Sequence, residues 1–248
     1  MEASLTSDKS LANVLGKHVL VQQRLTWDLA QQHCREHYTD LSSVSSWWDE
    51  ERLKDAAGNI GQWVWVGLYL DGTQWKWSGG GNSKYVLWAS NEPDGEGYQS
   101  VAAVCWQNCN WNGQNWVPGW YNIKSSVSLP FLCFNLILVE EKKTWEHALL
   151  HCSQEHTTLT SLVSETENLQ ALRKIQHNDI TQRVWIGLRF LGDRWLWVDR
   201  DPLVYENWAE GGEEDYQCPI MKRCGKQVYL NLRTGLATTG VEDLFRPH

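Results

Sequence analysis

"VWVGLYLDGTQWKW", Val64–Trp77, holds three tryptophans in fourteen residues. The phrase returns as "VWIGLRFLGDRWLW", Val184–Trp197, 120 positions later. In both copies Val64, Val66 and Leu68, or their equivalents, alternate with a tryptophan and a glycine. That period of two predicts a strand with both faces occupied. Asp71-Gly72 and Leu191–Asp193 carry turn signals, and a second short strand follows each.

Working outward, the repetition extends across the chain. "LTWDLAQQHC" (Leu25–Cys34) matches "KTWEHALLHC" (Lys143–Cys152), and "HYTDLSSVSS" (His37–Ser46) matches "HTTLTSLVSE" (His156–Glu165). The order is kept and the offset stays between 118 and 120, which fits two copies of one domain better than a solenoid. Each copy opens with a helix, with Thr26 or Thr144 as N-cap and Trp27, Ala30 and Cys34, or Trp145, Ala148 and Cys152, along one face. A second helix starts at Ser46 or Ser164, each with an acid three residues on. Leu169, Leu172 and Ile175 form the buried stripe of the later one, and Gly58 is the expected C-cap of the earlier one. Helices, then short strands, then a long loop rich in Gly, Asn, Ser and Trp predict an α+β fold.

The 248 residues suffice for two domains of about 120 each. The apolar fraction, 42%, allows each a core, and the formal charge of -8 offers no concentrated basic face for nucleic acid. The longest apolar run, Leu136–Val139, is strand-sized, so no membrane span is expected. "MEASLTSDKSLANVLGKHVLV" lacks a basic n-region and does not read as a signal peptide. An upstream segment missing from this reading of the gene would reconcile that with an extracellular setting.

This grammar resembles the C-type lectin-like domain. The resemblance rests on the helices ending in Cys34 and Cys152, on Trp65-Val66-Gly67-Leu68 and Trp185-Ile186-Gly187-Leu188, on Glu92-Pro93-Asp94, and on the strand ending Pro130-Phe131-Leu132-Cys133. The close spacing is similar to the tandem-domain lectins related to the macrophage mannose receptor. The resemblance implies two tandem domains, residues 16–134 and 135–248, each with two helices on small antiparallel sheets and a long irregular loop. The second copy departs from the family after about Leu232, as a truncation or alteration. Its first strand, near Leu136–Val139, is then expected to be an open edge.

There are seven cysteines. The resemblance implies a Cys34–Cys133 bridge, worth about 4–5 kcal/mol on the chain-entropy model. It also places the family's second bridge at Ser100 and Ser125, where both cysteines are absent together. Cys105 and Cys109 are extra, and two readings stay open for them, a local bridge and a zinc site; no histidine lies at ligand spacing. The pairing of Cys152, Cys218 and Cys224 is left open, and an odd cysteine in an extracellular protein points to a free or intermolecular thiol.

In sugar-binding members of that family a calcium ion on the long loop coordinates sugar hydroxyls, drawing oxygens from a Glu-Pro-Asn motif, a following Glu and a Trp-Asn-Asp motif. The residues that match here are Glu92 and Asp94, with Glu96 nearby, and Asn122 in Trp120-Tyr121-Asn122. In the family the proline is usually cis and lets its neighbours converge. A weakened Ca²⁺ site and a solvated acidic loop both fit. In copy two, Glu210, Glu213, Glu214 and Asp215 read as a solvated charge run. Among the loop tryptophans, Trp120 is expected to pack inward. Trp111 and Trp116 are candidates to stack on sugar rings or to pin the loop, and Trp106 belongs to the same group.

No nucleophile elbow, P-loop or HExxH motif is present, so an enzyme is not expected. The expected function is carbohydrate recognition by an extracellular lectin, with glycans or glycoproteins as partners and calcium-dependent binding through copy one. The alternatives are a protein-recognition module on the same scaffold and a truncated isoform of little function.

Overall fold

The structure, a computed structural model, describes residues 3–8, 17–58, 60–94, 100–177, 184–191, 194–208, 227–230 and 237–240. The tryptophan phrase of copy one is the hairpin of β4 (Val64–Asp71) and β5 (Gln74–Trp77). Its alternation sorts side chains into two layers. Trp65 joins Trp27, Ala30 and Cys34 of helix α1 (Trp27–His37) on one face. Val64, Val66 and Leu68 join Leu53 and Ala57 of helix α2 (Trp47–Ala57) on the other. The strand is buried on both sides, and Trp65 has no exposed surface. Large aromatic side chains make so small a core viable, since each removes a large area from water.

The chain forms two compact units, residues 16–135 and residues 1–15 with 136–248. In the first, β2 (His18–Leu25), β3 (Asp40–Leu41), β6 (Val101–Cys105), β9 (Gly119–Ile123) and β10 (Leu129–Phe134) complete a sheet of order β2-β10-β4-β6-β9. A small hairpin, β7 (Asn110–Trp111) and β8 (Gln114–Asn115), stands apart from it. In the second unit, β1 (Ala3–Asp8), β11 (Ile137–Val139), β12 (His156–Leu159), β13 (Val184–Leu191), β14 (Arg194–Trp197), β15 (Gln227–Leu230) and β16 (Ala237–Gly240) form a sheet of order β11-β1-β13-β15-β16, with helices α3 (Trp145–Glu155) and α4 (Glu165–His177).

The two phrases do the same work. Trp27 Nε1 donates to the Val66 carbonyl at 2.8 Å and Trp145 Nε1 to that of Ile186 at 2.9 Å. Trp65 Nε1 donates to the Leu25 carbonyl and Trp185 Nε1 to that of Lys143, both at 3.0 Å. These bonds satisfy buried indoles and tie each first helix to its strand. Ser46 and Ser164 cap α2 and α4, accepting from Asp49 N and Glu167 N. In return the Asp49 carboxylate accepts from Ser45 N and that of Glu167 from Val163 N. Gly58 ends α2 at φ 60°.

Three expectations need correction. Thr26 precedes α1 but its side chain makes no cap bond; the first free N–H, that of Trp27, goes to the Ser125 carbonyl. The Thr144 hydroxyl does accept from His147 N. The stripe of α4 centres on Ala171 and Ile175, with Leu169 and Leu172 only half-buried. Ile137–Val139 is not an open edge, because β1 pairs with it antiparallel through Ser4↔Val139, Leu5↔Leu138 and Thr6↔Ile137. The expected second domain therefore draws a strand from the N-terminal end of the chain, and the ladder of β15 continues into β16 beyond Leu232. Among the described residues no helix is long and apolar enough to cross a membrane.

Candidate functional site

The site is built where the segment after β5 runs back alongside β9. Ala89 N donates to the Trp120 carbonyl and Trp120 N to that of Leu87. Gly119 permits this approach. Its φ is 153°, and a Cβ there would lie 2.9 Å from that of Ala89. The chain then turns at Asn91, whose φ is 68°, and passes through a cis Glu92–Pro93 bond. Glu92 and Asp94 are thereby set against Asn122 on β9.

Asn122 is 5% exposed and bonded on every side. Its Oδ1 accepts from Asp94 N at 3.2 Å, its Nδ2 donates to Asp94 Oδ1 at 3.1 Å, and its backbone N donates to Glu92 Oε2 at 3.4 Å. A backbone N–H can only donate, so the amide orientation is fixed with its NH₂ toward the carboxylate. Burial raises the Glu92 carboxyl above its ordinary range; the bond from Asn122 N opposes this and the Asp94 charge adds to it.

These carboxylates rim a cavity of about 260 Å³ whose other walls are Trp63, Trp111, Trp116, Tyr121 and Lys124. The rings form a nest. The Trp63 centroid lies 4.4 Å from Tyr121, 5.8 Å from Trp111 and 6.2 Å from Trp116, and Trp116 lies 5.6 Å from Tyr121. Trp116 is 41% exposed and Trp111 half-buried. The β7–β8 hairpin carries Trp111 and leads directly into Trp116. Asn112 and Gly113 form its turn with φ of 50° and 79°, the pattern of a type I′ turn. A Cys105–Cys109 disulfide fastens its base, and Trp116 N donates to the Cys109 carbonyl. The extra cysteines thus bond to each other and hold the hairpin that walls the cavity. The Cys34–Cys133 bridge is present as expected, with Cα atoms 5.4 Å apart.

The other loop tryptophans serve packing. Trp120 has no exposed surface. Trp120 and Trp106 both donate Nε1 to Glu50 Oε1 at 2.8 Å. Burial raises the Glu50 carboxyl, an effect the two indole bonds partly oppose. Trp63 and Tyr121 went unnoticed as site residues in the sequence. Trp63 directly precedes the repeated phrase, and Tyr121 stands within the motif triplet where the family has asparagine; both positions offered a signal.

The fit to calcium is poor among the described residues. A calcium ion takes six to eight oxygens. Glu92 and Asp94 offer carboxylates, but Asn122 is a neutral amide that presents its NH₂ to Asp94 and already accepts from Asp94 N at its one oxygen. No group of three or more His, Cys, Asp or Glu that could hold a metal gathers among the described residues. Glu96 lies outside the described residues, as do Glu210, Glu213, Glu214, Asp215, Cys218 and Cys224.

Among the described residues, the second unit carries other residues at the register of Tyr121 and Asn122. Trp65 pairs with Ala103 and Ala103 with Tyr121; Trp185 pairs with Tyr229 and Tyr229 with Thr238. Thr238 and Thr239 therefore stand where Tyr121 and Asn122 stand.

The model of the lectin C-type domain matches residues 23–134 and 141–231. Among curated proteins, the chain is 23% identical over 213 residues to a secretory phospholipase A2 receptor of Pongo abelii, covering 77% of this chain and 14% of that protein. It is 23% identical over 223 residues to C-type mannose receptor 2 of Rattus norvegicus, covering 75% and 14%. It is 25% identical over 247 residues to lymphocyte antigen 75 of Mesocricetus auratus, covering 83% and 14%. The chain thus spans about one seventh of the length of these relatives. Among solved structures, the carbohydrate-recognition domain of a mouse scavenger receptor C-type lectin aligns with a TM-score of 0.40 and 17% identity, over 51% of this chain and 91% of that one. Human lithostathine aligns with a TM-score of 0.40 and 20% identity, over 47% and 80%. The fold is the α+β C-type lectin fold, whose members are generally recognition modules rather than enzymes, and this chain belongs to the C-type lectin domain family.

Proposed function

We infer that the first unit is an extracellular lectin that binds glycans in the tryptophan-walled cavity without a calcium ion. The carrying observation is the pair of hydrogen bonds between Asn122 and Asp94, one accepted by the amide oxygen from Asp94 N and one donated by the amide NH₂ to the Asp94 carboxylate. The amide NH₂ supplies locally the positive end that a cation supplies in calcium-dependent members. Glu92 and Asp94 keep acceptor capacity for sugar hydroxyls, and Trp116 offers a ring face for the apolar C–H side of a pyranose. The two disulfides support an oxidising setting, since such bonds are rare in reducing compartments. We read the chain as two tandem domains, 16–134 and 135–248, the second completed by the strand of residues 3–8, with recognition assigned to the first.

A glycan array probed with and without chelator tests this reading. Binding should survive chelation, fall at least tenfold with Trp116→Ala, and fall with Asn122→Asp, which removes the NH₂ and crowds three carboxylates together. Asn122→Asp should also make the remaining binding sensitive to added calcium. Binding abolished by chelator in the unaltered chain would overturn the proposal.

A second reading, recognition of a protein surface, draws on a different patch. Trp47 and Trp48 are 52% and 56% exposed at the start of α2 and stack edge to face at 4.8 Å. Exposed tryptophans are over-represented among interface anchors. If Trp47→Ala abolishes binding to glycoproteins and Trp116→Ala does not, this second reading is the better one.

A further inference from the structure

The sheets of the two units have the same order, yet their second strands come from different places in the sequence. In β2-β10-β4-β6-β9, β10 follows the rest of its own unit. In β11-β1-β13-β15-β16, β1 lies before the whole of the first unit. Two independent ladders align these strands. Phe131 pairs parallel with Trp65, and Ser4 with Trp185. Cys133 pairs antiparallel with Leu41, and Thr6 with Leu159. Ser4 therefore holds the place of Phe131, Leu5 that of Leu132, and Thr6 that of Cys133.

The hold on β1 differs from the hold on β10. Strand β10 is Leu-Pro-Phe-Leu-Cys-Phe, buried throughout and tied to α1 by the Cys34–Cys133 disulfide. Strand β1 is Ala-Ser-Leu-Thr-Ser-Asp, and threonine at the Cys133 position can form no bridge. It is retained by main-chain pairing to β11, β12 and β13. Those neighbours need the pairing in return, since a buried N–H or C=O without a partner is costly.

We propose that the space between β11 and β13 is a strand-binding slot, filled here by residues 3–8, and that it accepts an extended peptide of that sequence. The peptide would run antiparallel to β11 and parallel to β13, as in β-augmentation, where backbone bonds supply the affinity. The native strand is part of the same chain as its slot, so a free peptide must compete with an intramolecular strand.

The test uses the full chain carrying Leu5→Pro. Proline removes a donor from a strand flanked on both sides, a place it does not occupy in native sheets. Amide hydrogen exchange at residues 137–139 and 184–185 should quicken at least tenfold while residues 129–134 keep their protection. A synthetic peptide of residues 1–10, added at up to millimolar concentration, should restore protection to the variant; the same peptide carrying the proline should not. Unchanged exchange in the variant, or failure of the peptide to restore it, overturns the proposal. If the variant's second unit unfolds entirely, a second variant adds a copy of residues 1–10 after His248 on a flexible linker. Recovery of protection supports the slot, and no recovery overturns it. Neither outcome touches glycan binding, which rests on the other unit.

Discussion

The first unit and the second share a scaffold down to single hydrogen bonds, and among the described residues they differ at the register of Asn122. Both use a tryptophan at the start of the first helix and another in the central strand, and both bond these indoles to equivalent carbonyls. Around Asn122, by contrast, the first unit gathers two carboxylates and a nest of rings, while the second has Thr239 at that register. The buried interior, where each atom touches many others, tolerates little change. The long loop answers only to solvent and ligand, so it is free to vary.

The largest expected effect breaks the shared part. Trp65→Ala and Trp185→Ala should each cost about 3–5 kcal/mol within their own unit, since each empties a large buried volume and strands a carbonyl. Two separable transitions in denaturant, each moved by only one substitution, would sharpen the comparison. A single transition moved by both would mean the units unfold together.

Next comes a change confined to the first unit. Cys105→Ser with Cys109→Ser should cost about 2 kcal/mol, as a short loop loses its tie. Ligand affinity should fall more than tenfold, because Trp111 and Trp116 lose their fastening. Calorimetry and titration on one preparation would separate the two effects. Loss of stability with unchanged affinity would remove the disulfide from the site's design.

The smallest effect concerns protons. Glu50 follows the Ser46 cap by four residues, as Asn168 follows Ser164, so the first unit carries an ionisable group where the second carries an amide. Burial raises the folded-state value of Glu50 above its ordinary 4.5. Between the ordinary and the raised value, the folded unit therefore binds more proton than the unfolded chain does. Stability should decline as pH rises from about 4.5 through the raised folded value. Glu50→Gln keeps an oxygen for Trp106 and Trp120 and removes the charge. The melting temperature of the first unit should then vary less with pH across that window, while the second unit is unaffected. An unchanged profile would show that Glu50 is not the titrating group.

Much of the scaffold was legible because it is local. The Ser46 and Ser164 caps, the helical faces ending in Cys34 and Cys152, and the alternation through Trp65 each depend on residues within a few positions of one another. Glu92, Asp94 and Asn122 were legible only through the family resemblance, and no local signal indicated that the Asn122 amide would turn its NH₂ to Asp94. That orientation is decided by a backbone donor 28 positions away. Trp63 was missed because its role comes from rings far along the chain, Trp111 on β7, Trp116 just after β8 and Tyr121 on β9. The strand at Ala3–Asp8 was missed for a plainer reason. Its small and polar residues have weak strand preference, and the vacancy between β11 and β13 is what makes it a strand.

That strand also sets an order of events. Ser4 pairs with Trp185, so the segment made early waits while some 180 further residues are synthesised. At ribosomal speeds that is on the order of ten seconds or more. The first unit, whose strands all lie between residues 18 and 134, is complete well before then. The segment of residues 3–8 must therefore stay unclaimed by other strands until its partners are made. The same small, polar sequence that pairs so modestly in the finished sheet suits it to that wait, since it offers little for other chains to seize.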